Sequence, residues 1–258
     1  MNQLQKEILE ELIAFDAVAR DAGVPYTLHG GTLLGAAREH GFIAWDNDAD
    51  VAIFSKDYPK FKKAFEEAGS RYKIIDDFTA GSYAIVDKEQ GGEASADIFI
   101  YDYISENKLA QKIKILGVIF LQAMLKTKET IKLTEDNNHG KGKTFLYKCA
   151  YGFGKLFSRK TKEKWYHRFC SKAFVGQKNR IFLSNDSAKY LNACVPVKYM
   201  QAFDEIEFEG HQFFVTSCYN ELLTDKYGAD YMTPKQNDEI SKRHDRFRDM
   251  LSEEANKE

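Results

Sequence analysis

The feature that most constrains the fold of this chain is a short acidic segment that leads directly into an apolar one. Asp48 and Asp50 stand at alternate positions, and the apolar residues 51–54 follow them. Residues two apart in a β-strand point to the same face, so the two carboxylates would project together while Ala49 and Val51 point into the core. The segment therefore predicts a buried strand that carries two acids on one face.

These two carboxylates indicate a metal site. Like charges at this spacing repel each other unless a cation compensates them, and ligand sets made only of oxygen favour a hard ion such as Mg²⁺. Asp97 lies at the start of a second apolar segment, residues 96–101, and could supply a third carboxylate. The alternative is a surface calcium loop or a solvated acidic turn, against which the apolar residues that follow both acids argue.

A pair of glycines, Gly30 and Gly31, precedes the acidic segment. The β-prone residues 26–29 lead into this pair, and the Leu-, Ala- and Arg-rich residues 32–39 predict a helix after it. Glycines let the backbone approach a phosphate closely, and a helix that begins near Thr32 would aim N–H groups, with the Thr32 hydroxyl, at the anion. A glycine pair alone marks many ordinary turns, but together with two alternating acids it suggests phosphoryl transfer.

The remaining patterns predict a chain of mixed α and β structure. Apolar residues at helical spacing predict a first helix over residues 4–22, and a proline in the first turn favours a short helix over 59–68. Further strands are predicted at 72–75, 83–86 and 96–101, helices at 108–126, 144–175 and 220–227, and a β-hairpin over 205–215. This order is typical of a single α+β domain over residues 1–258, with a basic helical insertion or subdomain at 108–180 and a C-terminal α/β extension.

Charge is unevenly distributed along the chain. Residues 108–180 contain 18 Lys and Arg against 4 Asp and Glu, although the net charge of the whole chain is −2. Such a segment indicates an anionic partner, or else a solvated lysine-rich helical face. The longest apolar run, residues 115–125, is shorter than the roughly 20 residues that cross a bilayer, but it could dip into a membrane interface. The N-terminus resembles no secretory signal, so we expect a cytoplasmic protein, with peripheral contact at the inner face of an anionic membrane as a further hypothesis.

Several segments together resemble the signature of the LicD family, which comprises phosphocholine transferases of microbial surface glycans and is related to fukutin and fukutin-related protein. Residues 29–38 (HGGTLLGAAR) and 41–50 (GFIAWDNDAD) carry the main likeness. Residues 97–102 (DIFIYD) resemble the family's third-acid strand, and residues 227–234 (YGADYMTP) resemble its C-terminal motif. Asn47 stands where the family often has an acid, and Ala49 where it often has a larger apolar residue.

The resemblance implies a DNA-polymerase-β-like nucleotidyltransferase core that uses a CDP-activated donor, with CDP-choline favoured. The phospho-alcohol of that donor would move to a hydroxyl of a cell-surface glycan, such as a capsule, a teichoic acid or a lipopolysaccharide, or of its lipid-linked precursor. Asp48 and Asp50 would hold Mg²⁺ or Mn²⁺, and Asp97 would complete the metal site or accept the hydroxyl proton. The residues that would face the diphosphate are Gly30, Gly31 and Thr32.

Other candidate residues each have two interpretations. Arg38 could compensate phosphate charge or satisfy carbonyls at the end of its helix. Asp46 could support the metal ligands or cap a loop. His29 could contact substrate or be a structural histidine. His244, with Arg243, could reach a donor phosphate or belong to a solvated charged helix, and Asp230 could line the site or fix the chain after Gly228.

Two other functions remain open from the sequence. A polymerase-β-like site could instead add a nucleotide to a small alcohol, a sugar or an antibiotic. Residues 108–180 could alternatively form a nucleic-acid-binding module, but they contain no RNA-binding signature and the chain is slightly acidic, so no nucleic-acid partner is expected. Neither a Gly-x-Ser-x-Gly segment nor a Walker loop occurs in the sequence.

Overall fold

The computed structural model describes residues 1–77, 82–89, 95–127 and 141–234. It consists of a mixed seven-stranded sheet with flanking helices and a separate two-stranded hairpin. The predicted α+β class is therefore confirmed for the described ranges. The predicted phosphate contacts of His244 and Arg243 lie outside the described residues.

Strands β2 (Ala49–Phe54) and β5 (Ala96–Ile104) form the centre of the sheet. They run parallel, and their register places Asp50 directly opposite Asp97. β1 (Tyr26–Leu28) pairs antiparallel with the free edge of β2. Three consecutive residues of β2, from Val51 to Ile53, are completely buried, so this strand lies inside the fold on both faces, as its apolar sequence predicts.

The other edge of β5 is long enough to carry two strands in succession. β4 (Ser82–Asp87) pairs with its first residues and β6 (Arg180–Leu183) with its last ones, both antiparallel. β3 (Tyr72–Asp77) extends the sheet beyond β4, and β7 (Cys194–Pro196) extends it beyond β6. The sequence patterns did not predict β6 or β7, because strands of three or four residues show too little alternation to be recognised.

Helices α1 (Gln3–Asp21) and α3 (Tyr58–Glu67) confirm the predicted ranges to within one residue. The apolar stripe of α1 is buried, and its Phe15 ring lies 4.7 Å from the Phe61 ring of α3. Helix α2 (Gly30–Glu39) begins two residues earlier than predicted, so both glycines belong to its first turn rather than to a preceding loop.

The basic segment forms helices α4 (Lys108–Leu125), α5 (Lys141–Gly154) and α6 (Arg159–Lys172). The helical stretch predicted over 144–175 is thus two helices, and Ser158 begins the second by accepting the Thr161 N–H at 3.2 Å. Five residues of α4 and α6 belong to the main hydrophobic core together with the sheet: Ile115, Val118, Leu125, Tyr166 and Cys170. Within the described ranges, no helix has the length and apolar content that a membrane span requires.

The C-terminal part begins with a hairpin of β8 (Phe203–Phe208) and β9 (His211–Thr216), which confirms the prediction. β9 lies against β1, where the Thr216 N–H donates to Thr27 Oγ1 at 2.9 Å. Helix α7 (Tyr219–Tyr227) follows. Since β1 leads directly into α2, this contact brings α7 towards the glycines and the acids of the central strands.

Candidate active site

Asp50 and Asp97 form the centre of the candidate site. They are direct neighbours on parallel strands, and residues paired in this way point to the same face of a sheet. The start of α2 holds the Asp50 backbone on both sides: the Asp50 N–H donates to Thr32 Oγ1 at 2.8 Å, and its carbonyl accepts the His29 N–H at 2.8 Å. The hydroxyl that was predicted to face a diphosphate therefore orients the Asp50 strand.

The two glycines of α2 lie against carboxylates. Gly30 has a φ of +56°, and a Cβ atom added to it would lie 2.1 Å from Asp50 Oδ2. A Cβ atom on Gly31 would lie 2.5 Å from Asp46 Oδ2. Any larger residue would displace these acids, so the glycine pair is required by the carboxylates next to it. The N-terminal end of a helix also stabilises nearby negative charge.

Asp46 and Asp48 precede the central strand. The prediction that Asp48 lies within the strand was wrong: β2 begins at Ala49, because its pairing with β5 begins at Ala96. Asp48 is exposed and Asp46 is half-buried. Burial, followed by the charge of Asp48 and a hydrogen bond with it, raises the pKa of Asp46 to about 7. The carboxyl group of Asp46 therefore lies close to that of Asp48.

The acids influence one another strongly. Burial raises the pKa of Asp50 well above its usual range, and the charges of Asp48, Asp97 and Asp46 raise it further. Burial and the charge of Asp48 also raise the pKa of Asp97, although a hydrogen bond from Ser95 opposes this shift. Four carboxylates therefore crowd one small volume, where a bound cation would relieve their repulsion.

The acidic cluster fits a metal site that the protein leaves open on one side. Within the described ranges, no three His, Cys, Asp or Glu side chains are arranged as a closed set around one ion. Mg²⁺ in phosphoryl-transfer sites is usually bound by only one or two carboxylates, and water and substrate phosphates complete its coordination. A pair of oxygen ligands in a repulsive acidic cluster fits this open type of site.

A cleft of about 270 Å³ opens beside Asp50, and five of the residues that line it have aromatic rings. Phe99 and Tyr101 follow Asp97 at alternate positions of β5, so all three lie on one face of the strand. The His29 ring also lines the cleft, with its centroid 5.2 Å from that of Phe99 and 6.1 Å from that of Tyr101. The remaining aromatic lining is Tyr190 and Tyr227.

Lys226 and Asp186 line the same cleft, and sequence reasoning missed both. The charge of Lys226 lowers the pKa of Asp50, opposite to the effect of the neighbouring acids. Burial lowers the pKa of Lys226 itself and raises that of Asp186 to about 6. The only sequence signal for this part of the site was the motif-like segment 227–234, which begins one residue after Lys226.

Two other predicted residues have clear environments. Only 4% of the Arg38 side chain is exposed, and its Nε donates to Glu39 Oε1 at 2.7 Å. Among the described residues no group accepts a hydrogen bond from Arg38 Nη2, so a buried donor remains unused. Asp230 is exposed, and its carbonyl accepts the Thr233 N–H at 2.9 Å, which fits the interpretation that it fixes the chain after Gly228.

An α+β domain with paired aspartates on parallel strands, next to a helix that opens with glycines, fits a transferase domain of the nucleotidyltransferase type. Residues 23–117 match the family described as "LicD/FKTN/FKRP, nucleotidyltransferase domain". The chain is 30% identical to the lipopolysaccharide cholinephosphotransferase LicD of Haemophilus influenzae, over 90% of this chain and 91% of that protein. The protein belongs to the LicD family and is a transferase.

Shorter matches connect the chain to mammalian proteins. It is 47% identical over 51 residues to the mouse ribitol-5-phosphate transferase FKTN, which is 19% of this chain and 11% of that protein. It is 52% identical over 40 residues to the human ribitol 5-phosphate transferase FKRP, which is 16% of this chain and 8% of that protein. The resemblance to the LicD family that the sequence motifs indicated is thereby confirmed.

Proposed function

We propose that this enzyme transfers phosphocholine from CDP-choline to a hydroxyl group of a cell-surface glycan or of its lipid-linked precursor. The observation that carries the proposal is the single face of β5 on which the acid Asp97 is followed by the aromatic rings of Phe99 and Tyr101. The carboxylates at the start of this face suit a metal ion and the diphosphate that it binds. The aromatic rings further along suit the alcohol of the donor. The name of the Haemophilus relative supports choline as that alcohol and lipopolysaccharide as the type of acceptor.

Among the clustered carboxylates, Asp48 and Asp50 would bind Mg²⁺ or Mn²⁺. When bound, such an ion neutralises phosphate charge and polarises the phosphoryl oxygens. Gly30 and Thr32 contribute by holding Asp50 in place, since one contacts its carboxylate and the other accepts its N–H. Asp97 completes the ligand set or accepts the proton of the attacking hydroxyl. Its raised pKa favours the second role, because a base of higher pKa takes up a proton more readily.

Positive charge for the donor phosphates would come from Lys226 and Arg38. Lys226 lines the cleft next to Asp50, and Arg38 offers the buried and unused Nη2 donor. The N–H groups at the start of α2 add partial positive charge on the same side. These groups would stabilise the negative charge that collects on the leaving nucleotide.

The aromatic lining favours a quaternary ammonium group over a polyol. A trimethylammonium cation is attracted to the faces of aromatic rings, whereas the hydroxyl groups of ribitol require hydrogen-bond partners. Asp186 adds a negative charge to the same cleft. With about 270 Å³, the cleft is smaller than most pockets for whole ligands, so it would enclose the phospho-alcohol and leave the nucleotide outside.

Product analysis tests this proposal. The full chain is incubated with Mg²⁺ and either CDP-choline or CDP-ribitol, and CMP is quantified. We expect CMP release from CDP-choline that stops when EDTA is added. Faster release from CDP-ribitol would contradict the choline assignment. Pyrophosphate release from a nucleoside triphosphate, without CMP from either donor, would instead support nucleotide transfer to a small acceptor.

A pair of tyrosine variants tests the aromatic cleft. Tyr190→Leu removes a ring from the cleft, and we expect the KM for CDP-choline to rise about fivefold to tenfold, since one cation–π contact contributes about 1 kcal/mol. Tyr151→Leu makes the same change on α5, outside the cleft lining, and should leave the KM unchanged. Equal KM values in the two variants would remove the cleft from donor binding.

A further inference from the structure

Large apolar side chains are exposed along one side of α4. Leu109 is 68% exposed, Ile113 44%, Leu116 66% and Phe120 45%. Their spacing of four, three and four residues places all of them on one stripe of the helix. Within the run 115–125, which the sequence suggested could dip into a membrane interface, Ile115, Val118 and Leu125 are buried in the core, whereas Leu116 and Phe120 are exposed. The exposed stripe therefore begins upstream of that run, at Leu109, and continues within it.

The stripe continues onto the next two helices. Phe145 and Leu146 of α5 are 65% and 67% exposed, and Phe153, about two turns further along the same helix, is 48% exposed. Ring contacts join α4 to α6 through this helix, with centroids 6.4 Å apart for Phe120 and Phe153, 5.3 Å for Phe153 and Phe157, and 4.7 Å for Phe157 and Trp165. We call the exposed residues the apolar face: Leu109, Ile113, Leu116, Phe120, Phe145, Leu146, Phe153 and Trp165.

The same helices are strongly basic. Together α4, α5 and α6 contain 12 Lys and Arg, whereas Glu163 is their single acidic residue. Lys114 is buried and donates to the Cys170 carbonyl at 2.6 Å, so it belongs to the core. Many of the others are exposed, among them Lys112 on α4, Lys148 on α5 and Lys164 on α6. Exposed apolar side chains and basic residues therefore occur on the same three helices.

We infer that the apolar face, with the basic residues of α4 to α6, is a docking surface for an anionic lipid bilayer. Exposed apolar groups of this extent mark an interaction surface, and helices with Leu and Phe on one face and Lys elsewhere lie in membrane interfaces. Charge complementarity selects the partner, because anionic lipids attract each nearby Lys or Arg and these helices contribute almost no opposing charge. This inference does not depend on the donor that the active site uses.

Vesicle flotation of the full chain tests the surface. We expect the protein to float with vesicles of phosphatidylcholine mixed with phosphatidylglycerol, and binding to weaken at high salt and with phosphatidylcholine alone. The double variant Leu116→Gln/Phe120→Gln should reduce the bound fraction at least tenfold. Met232→Gln changes an apolar residue that is 52% exposed outside these helices, and it should bind as the unmodified protein does.

Charge variants separate the electrostatic contribution. Lys112→Gln with Lys148→Gln should weaken binding to the anionic vesicles and leave the weak binding to phosphatidylcholine unchanged. Lys60→Gln with Lys63→Gln removes two exposed charges from α3 and serves as the matched control. Equal losses from both sets would mean that net charge, rather than these helices, determines binding, and would overturn the assignment of the surface.

Tryptophan fluorescence provides a local readout. The chain contains two tryptophans, so Trp45→Phe leaves Trp165 of the apolar face as the only reporter. Its emission should shift to shorter wavelength when anionic vesicles are added. An unshifted spectrum, or flotation that the Leu116/Phe120 variant retains, would overturn the proposal. So would a dimer in sedimentation analysis that the same variant breaks, since a second copy would then cover the face. CMP release by the Leu116/Phe120 variant is also measured without vesicles. This measurement distinguishes a failure of membrane binding from a failure of the proposed transfer reaction.

Discussion

Two aspartates on one strand, Asp97 and Asp102, show opposite ways of placing a carboxyl group in a protein. They lie five residues apart on β5 and therefore point to opposite faces of the sheet. Asp102 faces the core: it is 3% exposed, Ser55 and Ser184 donate to its two oxygens, and the charge of Lys114 lies nearby. Asp97 lies on the face of β5 that also carries the cleft residues Phe99 and Tyr101, and the neighbouring charge of Asp48 repels it.

This difference in surroundings distinguishes an acid that stabilises the fold from an acid that serves the active site. A buried carboxyl group with hydroxyl donors and a counter-charge is satisfied and contributes to a unique packing. A carboxyl group held next to like charges costs free energy in the protein alone, and such an arrangement is typical of sites that bind a cation or transfer a proton. Substitutions on the two faces of β5 should therefore separate activity from stability.

The largest effect on activity is expected from substitutions of the active-site aspartates. Asp50→Asn and Asp97→Asn should each reduce kcat by about 10³-fold, comparable to the loss of one group that stabilises the transition state. Thermal unfolding should occur at the same or a higher temperature, because each change removes a charge from a repulsive cluster. Asp204→Asn, an exposed acid on β8, is the control for both measurements. Full activity in either site variant would assign the chemistry to other residues.

The core face should respond in the opposite way. Asp102→Ala removes the acceptor of two hydroxyl groups and leaves Lys114 without its counter-charge, so we expect a loss of about 3 kcal/mol in the free energy of unfolding. Urea unfolding measures this loss. The fraction that remains folded should keep its KM for CDP-choline. A large change in KM with normal stability would contradict the structural role of Asp102.

The pH dependence of stability gives a finer test of the same residue. Burial raises the pKa of Asp102 to about 6, so the folded protein holds this proton more tightly than the unfolded chain does. The resulting stabilisation is fully present below about pH 4, the pKa of an unfolded aspartate, and is lost as the pH rises through 6, with a total of about 3 kcal/mol.

Asp102→Asn cannot ionise and should lack this decrease. Urea unfolding at intervals between pH 4 and 7 compares it with the unmodified protein, so that other groups titrating in the range, such as Glu11 with a pKa raised to about 7, cancel in the difference. Parallel curves for the two proteins would show that Asp102 has an ordinary pKa.

Local sequence patterns predicted much of the fold and half of the site. The strands that carry Asp50 and Asp97, the helix after the glycines and the β8–β9 hairpin each have their own periodicity, so neighbouring residues alone reveal them. The start of β2 could not be predicted to the residue, because it depends on where the pairing with β5 begins. Asp48 consequently lies just outside the strand rather than within it.

The part of the site that escaped prediction comes from elements far apart in the sequence. Lys226 lies on α7, and Asp186 and Tyr190 follow β6, a strand too short for its alternation to be recognised. These residues meet Asp50 only because the β8–β9 hairpin packs against β1 and β6 pairs with β5. No local pattern contains that information, since it resides in the packing of the whole sheet.

The smallest effect, and the most specific one, is expected from a comparison of two glycines. This comparison tests the packing around Asp50. Gly30 and Gly69 have φ angles of +56° and +62°, so alanine at either position should cost about 1 kcal/mol of stability through backbone strain. The two positions differ in their surroundings. An added Cβ atom would meet Asp50 Oδ2 at 2.1 Å in Gly30→Ala, but it would have no neighbour within 4 Å in Gly69→Ala.

Only Gly30→Ala should therefore impair catalysis, by about tenfold in kcat, because a displacement of Asp50 by less than an ångström is enough to disturb a catalytic geometry. CMP release and thermal unfolding of the two variants measure both effects. If the two variants lose stability equally and Gly30→Ala keeps its full kcat, then the close packing of α2 against Asp50 serves the fold alone. If kcat falls only in Gly30→Ala, the position of the Asp50 carboxylate requires a glycine at residue 30. The unfavourable crowding of carboxylates around Asp50 then serves catalysis.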